Sequence, residues 1–154
     1  MVPPRLSHHT TVSFSLARIL AVIGARRGLI ARPDSAGLFE PGRDDSYRVP
    51  DGSLVRPEHL VRRGIEGAEL VIEILSPHDE SREKFPFYAR LRVPEIWHVE
   101  PNALVVEVYS LTRGAYVRVP TAGNITISPL LGISLALDAG PMLHLRDGDD
   151  VHTV

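Results

Sequence analysis

The sequence predicts a mixed α/β (α+β) domain, and three observations carry that expectation. Residues 13–27 place Phe14, Leu16, Ile19, Leu20, Val22 and Ile23 mostly at helical spacing. The run Ala68-Glu-Leu-Val-Ile-Glu-Ile-Leu75 is apolar on both parities, the pattern of a central strand covered on both faces. Beyond Pro94, short strand-forming runs alternate with turn residues, as in antiparallel hairpins. With 154 residues and no cysteine, the chain suits one domain, 1–154, that folds without disulfides.

The helix over 13–27 ends on the basic pair Arg26 and Arg27, which complements its dipole, and then on Gly28. Residues 29–58 are broken by four prolines and three glycines, so only short strands fit, near 29–32, 37–40 and 53–56, in an antiparallel meander. The strand over 68–75 follows. Ser76-Pro-His-Asp79 then offers a helix N-cap with proline in the first position, and a helix runs to about Leu91. Because an interior proline costs about 3 kcal/mol, Pro86 moves the expected start of regular helix to near Ser81, with a separate turn before it. Runs 95–100, 103–109, 115–119 and 124–127 read as consecutive antiparallel strands, and 146–154 as an acidic tail.

Residues 1–92 hold 14 basic and 12 acidic side chains, whereas 93–154 hold 3 and 7. A polyanion would meet the first part, but the asymmetry is mild. Without cysteine there are no thiol nucleophiles, Cys-based zinc sites or iron–sulfur clusters. No apolar run approaches the roughly 20 residues that cross a bilayer. Arg18 also interrupts the stretch from Phe14 to Ile23 that would otherwise resemble a signal-peptide core, which gives the expectation of a cytoplasmic protein. Phosphate-loop, dinucleotide, nucleophile-elbow and zincin motifs are missing. The seven histidines share no ligand spacing, and His8 and His9 fall in a terminus expected to fray.

Glu73 is the anomaly. It lies inside Leu70-Val-Ile-Glu-Ile-Leu75, where an unpaired carboxylate taken out of water would cost several kcal/mol. An ion pair with an arginine, a more exposed strand, or a metal ion would each answer that cost. Glu107 contrasts with it, alternating away from Leu104, Val106 and Val108 and so expected to face solvent. Asp51 reads as a turn residue in Pro50-Asp-Gly52, and Lys84 as a solvated residue of the first helical turn, where a cation is mildly unfavourable.

Taken with their surroundings, these residues resemble a known pattern. Arg48-Val-Pro-Asp51, Glu69-Leu-Val-Ile-Glu-Ile-Leu-Ser-Pro77, Asp79-Glu-Ser-Arg-Glu-Lys-Phe-Pro-Phe-Tyr88 and Val93-Pro-Glu-Ile-Trp-His-Val-Glu-Pro101 are similar to the Uma-type restriction endonuclease family. That family lies within the PD-(D/E)XK nuclease superfamily, and Ser128-Pro-Leu-Leu-Gly132 before Leu135 adds a final echo. The resemblance covers about residues 45–138. It implies a restriction-endonuclease-like mixed sheet flanked by helices, with Asp51 and Glu73 as metal ligands and Lys84 as catalytic lysine. Many superfamily members carry the lysine two residues after the glutamate; here that position is Leu75, and the family pattern supplies the lysine from the following helix. Arg92 stands where relatives usually have glycine, Ile96 where they have an aromatic residue, and Glu100 where they have aspartate.

The implied chemistry suits these residue types. Hard carboxylate oxygens hold Mg²⁺ or Mn²⁺, and a lysine can orient or deprotonate water where an arginine, with its higher pKa, cannot. Arg48, Arg56 and Arg82 are the candidate nucleic-acid contacts, with Arg62, Arg63, Arg90 and Arg92 behind them. The resemblance also implies a nucleic-acid substrate, DNA foremost, and a homodimer able to cut two strands. Relatives usually have a longer N-terminus with an acidic segment before the first helix, whereas 14–27 contains no Asp or Glu. The alternative expectation is therefore a catalytically inactive, N-terminally truncated module acting in binding or protein interaction. A small-molecule-binding domain is the third reading.

Overall fold

The computed structural model describes residues 8–76 and 81–154. In chain order its elements are α1 (His8–Ala25), β1 (Ile30–Pro33), β2 (Leu38–Phe39), β3 (Tyr47–Arg48), β4 (Gly52–Val55), β5 (Leu60–Val61), β6 (Gly64–Ile65) and β7 (Leu70–Ile74). A 3-10 turn, Ser81–Lys84, leads into α2 (Phe85–Arg90). Then come β8 (Glu95–Glu100), β9 (Val105–Thr112), β10 (Ala115–Arg118), β11 (Ile125–Ile127), β12 (Ser134–Asp138), β13 (Met142–Asp147) and β14 (Asp150–Thr153). Among the described residues no helix is long and apolar enough to cross a membrane.

Six strands form one mixed sheet in the order β1-β4-β7-β8-β9-β10, with only β7 and β8 parallel. A parallel pair cannot be closed by a tight turn, so the chain between β7 and β8 must cross over, and that crossover is the 3-10 turn and α2. All five residues of β7 are buried, as its double-parity pattern predicts. Its even-numbered side chains, Leu70, Ile72 and Ile74, pack with Val12, Leu16, Ile19, Leu20 and Ile23 of α1. Val71 on the other face joins Phe87 and Tyr88 of α2 together with Ile96.

The helix α1 is described from His8, five residues ahead of the expected start, and ends at Ala25, two residues short of the expected end, with residues 26–28 in a turn. Gly28 takes φ +71°, its N–H donates to Ala25 O at 3.2 Å, and Leu29 N–H donates to Gly24 O at 2.9 Å. This closing geometry puts a left-handed residue just after the last turn, where glycine is favoured. Gly24 has a different role: a Cβ there would lie 2.9 Å from Leu54 Cδ2, so its lack of a side chain sets how closely α1 approaches β4.

Three expectations change. Residues 29–58 are not one meander, because β1 pairs with β4 while β2 and β3 leave for a small sheet ordered β3-β2-β6-β5. The run 124–127 does not continue the β8-β9-β10 hairpins; β11 opens a second antiparallel sheet, β11-β12-β13-β14. Residues 146–154 are no free tail but the end of β13 followed by β14. Asp147 Oδ1 accepts from Arg27 Nη2 at 2.9 Å, and Asp150 pairs with Arg26. Arg27 also donates through Nη2 to Leu131 O at 2.7 Å, tying the end of α1 to the second sheet. The N-cap expected at Ser76 depends on residues 77–80, which lie outside the described residues.

Arg92, the residue in place of the usual glycine, has φ +54°. A side chain in the left-handed region costs roughly 1–2 kcal/mol, partly offset by the greater chain entropy that glycine loses on folding. Arg92→Gly is expected to raise stability by about 0.5–1 kcal/mol, read as the shift in the midpoint of urea unfolding.

Candidate active site

Asp51 stands at the mouth of β4, one residue before Gly52, which is paired with Ile72 of β7. Its Oδ2 accepts the backbone N–H of Ile74 at 2.7 Å, so the carboxylate is fastened to β7 immediately beyond Glu73. His9 on the first turn of α1 brings Nε2 to 3.5 Å from Asp51 Oδ1, which places this histidine in the site rather than in a frayed end. Burial raises the Asp51 pKa above its ordinary value, while the Ile74 N–H, His9 and Lys84 oppose that rise.

Glu73 is 1% exposed, in the middle of the sheet and on the face covered by α2. Its partner is a lysine rather than an arginine: Lys84 Nζ lies 3.1 Å from Oε2 and 3.4 Å from Oε1. Tyr88 donates its phenolic O–H to Oε1. Burial pushes the Glu73 pKa up; Tyr88 and Lys84 pull it down, and the Asp51 charge adds to the rise. Lys84 closes the 3-10 turn and is one third exposed, so it approaches the buried carboxylate from the solvent side. Pro86 falls in the first turn of α2, where its missing N–H has no intrahelical partner to lose. The structure thus brings Asp51, Glu73 and Lys84 to one end of β7.

The same face extends further than the sequence predicts. Glu73 pairs in register with His98, and His98 with Glu107, so three titratable residues form a row across β7, β8 and β9. Glu107 is not a solvent-facing residue. Tyr109 O–H donates to its Oε2 at 2.9 Å, Arg118 Nη1 lies 3.4 Å and Arg82 Nη2 3.6 Å from the same oxygen, and His98 Nδ1 is 3.9 Å from Oε1. Period-two alternation placed Glu107 opposite Val106 and Val108 correctly, but it carries no information about what covers that face. Tyr88 was legible in principle: four residues after Lys84, it shares that residue's side of a helix.

The candidate nucleic-acid contacts separate. Arg82 and Lys84 share the 3-10 turn beside the row, and Arg82 Nη2 donates to Tyr109 Oη at 3.3 Å. Arg48 is exposed, with Cζ 5.1 Å from the centre of the Phe87 ring, which Arg90 also approaches at 5.4 Å. Arg56 is not near these groups. It follows the far end of β4, about 17 Å from Asp51 at roughly 3.4 Å per residue, and its Nε donates to Glu69 at 2.9 Å.

The family model described as "Uma2: Putative restriction endonuclease" matches residues 1–139. The chain belongs to the Uma2 family. Among solved structures it is similar to a protein from Anabaena variabilis described as a putative nuclease belonging to DUF820. The TM-score is 0.62 at 16% identity, over 84% of this chain and 76% of that one. At this identity the likeness carries the fold alone, a mixed α+β fold. No curated protein matches the chain significantly.

Among the described residues of this Uma2 chain, no group of three or more His, Asp or Glu side chains forms a metal cage. The donor set instead fits a hard ion of the Mg²⁺ type, which is commonly held by one or two carboxylates and completes its shell with water and phosphate oxygens. Asp51 and Glu73 are two such carboxylates, Lys84 lies on the solvent side of Glu73, and the repulsion of Glu73 by Asp51 is what a divalent cation would relieve.

Proposed function

We propose that this Uma2 protein is a divalent-cation-dependent endonuclease that hydrolyses phosphodiester bonds in nucleic acid, cytoplasmic DNA foremost. The observation that supports this reading is Glu73. A carboxylate 1% exposed in a central strand, met by Lys84 and flanked by Asp51, is a costly arrangement for stability and a useful one for phosphate chemistry. Asp51 and Glu73 would hold the Mg²⁺ or Mn²⁺ ion, which supplies neutralisation of phosphate charge and a lowered pKa for water.

The chain's own groups do the rest. The Ile74 N–H fixes Asp51, so the two carboxylates keep their relation through the pairing of β4 with β7. Lys84, on the exposed side of Glu73, would orient the attacking water and stabilise the hydroxide that forms as the water's proton passes to solvent; the water oxygen bonds to phosphorus, the ester P–O bond breaks, and the leaving oxygen takes a proton from solvent. Arg82, on the 3-10 turn, and Arg48, beside the Phe87 ring, would meet neighbouring phosphates. A homodimer would present two such sites to the two strands of a duplex.

Plasmid and single-strand cleavage with Mg²⁺ or Mn²⁺ tests the reading. The wild type is expected to nick DNA only with the metal, and Lys84→Ala to do so about 10²–10⁴ times more slowly, the usual range for loss of an acid–base group. Lys84→Arg is expected not to restore the rate. Folded wild type that binds duplex but shows no metal-dependent cleavage would overturn the enzyme and leave the inactive binding module.

A further inference from the structure

We propose that Tyr88 is a positioning residue of this site: its hydroxyl holds Glu73 Oε1 so that the carboxylate meets an incoming divalent cation in one orientation. The proposal rests on the reading of Glu73 as a cation ligand and adds a residue to which no role has been assigned.

The geometry distinguishes this tyrosine from a packing residue. Tyr88 is fully buried in the cluster of Val71, Phe87, Val93 and Ile96, and its ring meets Phe87 edge-on at 5.8 Å between centroids. Phenylalanine would fill that space without bringing a hydroxyl out of water. A buried hydroxyl needs a partner, and the one it has is a buried carboxylate, itself costly. Replacing such a polar pair by apolar residues of similar volume is often neutral or stabilising, so core packing does not explain why both are here.

The two donors on Glu73 also differ in kind. Lys84 reaches both oxygens from a side chain one third exposed, with four rotatable bonds, and can leave for water or phosphate. Tyr88 has two side-chain torsions, locked by its neighbours, and cannot leave. Burial and the adjacent Glu73 charge raise the Tyr88 pKa, so the phenol keeps its proton and acts only as a donor. The fixed donor therefore occupies Oε1 from inside the protein and leaves Oε2, the oxygen nearer Lys84, for an incoming cation. Outer partners of this type usually change metal affinity by about 10- to 100-fold when removed.

The test is Mn²⁺ affinity, followed by the electron paramagnetic resonance signal of the free ion, at one pH in the full-length chain. Wild type, Tyr88→Phe, Glu73→Gln and the packing control Phe87→Leu are compared, with unfolding midpoints measured on each. Tyr88→Phe keeps the ring and is expected to fold; its Mn²⁺ dissociation constant is expected to rise about 10- to 100-fold. Cleavage at saturating Mn²⁺ is then expected to show a lower kcat with KM for DNA unchanged. Phe87→Leu is expected to lower the unfolding midpoint without moving the Mn²⁺ constant. If Tyr88→Phe binds Mn²⁺ as the wild type does while Glu73→Gln does not, Tyr88 is packing alone and the proposal falls. If Glu73→Gln binds as tightly as the wild type, the ligand role of Glu73 falls instead.

Discussion

Glu73→Gln is expected to give a folded protein that cleaves DNA at least about a thousand-fold more slowly than the parent. A metal-held transition state is worth several kcal/mol, and about 4 kcal/mol corresponds to a thousand-fold in rate. The amide keeps the size of the side chain and an acceptor for Tyr88, so the loss is one of charge at the site rather than of packing. Stability is expected to move the other way with pH. The folded protein holds the Glu73 proton more tightly than the unfolded chain does, because burial raises its pKa. Native protein therefore binds more protons than unfolded protein as pH rises from the ordinary glutamate value, 4.5, toward the raised one, and wild-type stability falls across that window. Glutamine does not titrate, so the stability of Glu73→Gln relative to wild type is expected to climb through the same window and then level off. Urea unfolding midpoints at acidic, intermediate and neutral pH check this. A difference flat with pH would mean that Tyr88 and Lys84 compensate the buried charge in full. Added Mg²⁺ is expected to stabilise the wild type and leave the variant unchanged, since only a ligand bound to the native state shifts the equilibrium.

Glu95→Ala is expected to destabilise the fold by about 3–5 kcal/mol, the range for breaking a buried charged network by removing one member. In a chain of this size that lowers Tm by roughly 10 °C. Glu95 is 1% exposed at the start of β8. Its Oε1 accepts Trp97 Nε1–H at 2.6 Å and Ser128 O–H at 2.6 Å, and its Oε2 accepts Leu130 N–H at 2.9 Å. Ser128 Oγ in turn accepts Leu131 N–H at 3.1 Å. Alanine leaves these donors buried without an acceptor, and each such group costs about 1–3 kcal/mol. Glu95→Gln retains one carbonyl oxygen and is expected to lose less. Differential scanning calorimetry of the two variants separates these values; equal, small losses would mean that water replaces the carboxylate.

Glu95 also shows how sequence and structure divide the information. Val93-Pro-Glu-Ile-Trp97 and Ser128-Pro-Leu-Leu-Gly132 are separate parts of the family pattern, and both are visible in the chain. That they meet, through a carboxylate joining the main sheet to the loop before β12, depends on tertiary pairing that no local pattern states. The same holds at the site. Glu73 announced itself by being charged in an apolar run, but its partner was not readable, since an arginine would have met the same physical need. Lys84 became a candidate only through the family pattern, because its local setting is an ordinary helical turn. His98 became the neighbour of Glu73, and Glu107 that of His98, through strand register, a quantity set by the whole sheet. The strands beyond residue 127 left a local trace in the alternation of Leu135 with Leu137 and Leu143 with Leu145. What was hidden was their grouping into a second sheet anchored by Arg27.

The fastening of Asp51 to the Ile74 amide has one more consequence, for the order in which the molecule becomes competent. Asp51 immediately precedes β4, Glu73 lies in β7 and Lys84 in the crossover turn, 11 residues after Glu73, so the carboxylate pair comes together only when β4 pairs with β7. Contacts of this kind cost loop-closure entropy before they return any energy, so they form with the global transition rather than ahead of it. A nascent or proteolysed chain that has α1 and a hairpin but lacks the β4–β7 pairing has its acidic side chains apart and in water. On the proposed function, hydrolytic capacity would then be a property only of the finished fold, and a nucleic acid near the unfinished chain would meet no assembled site.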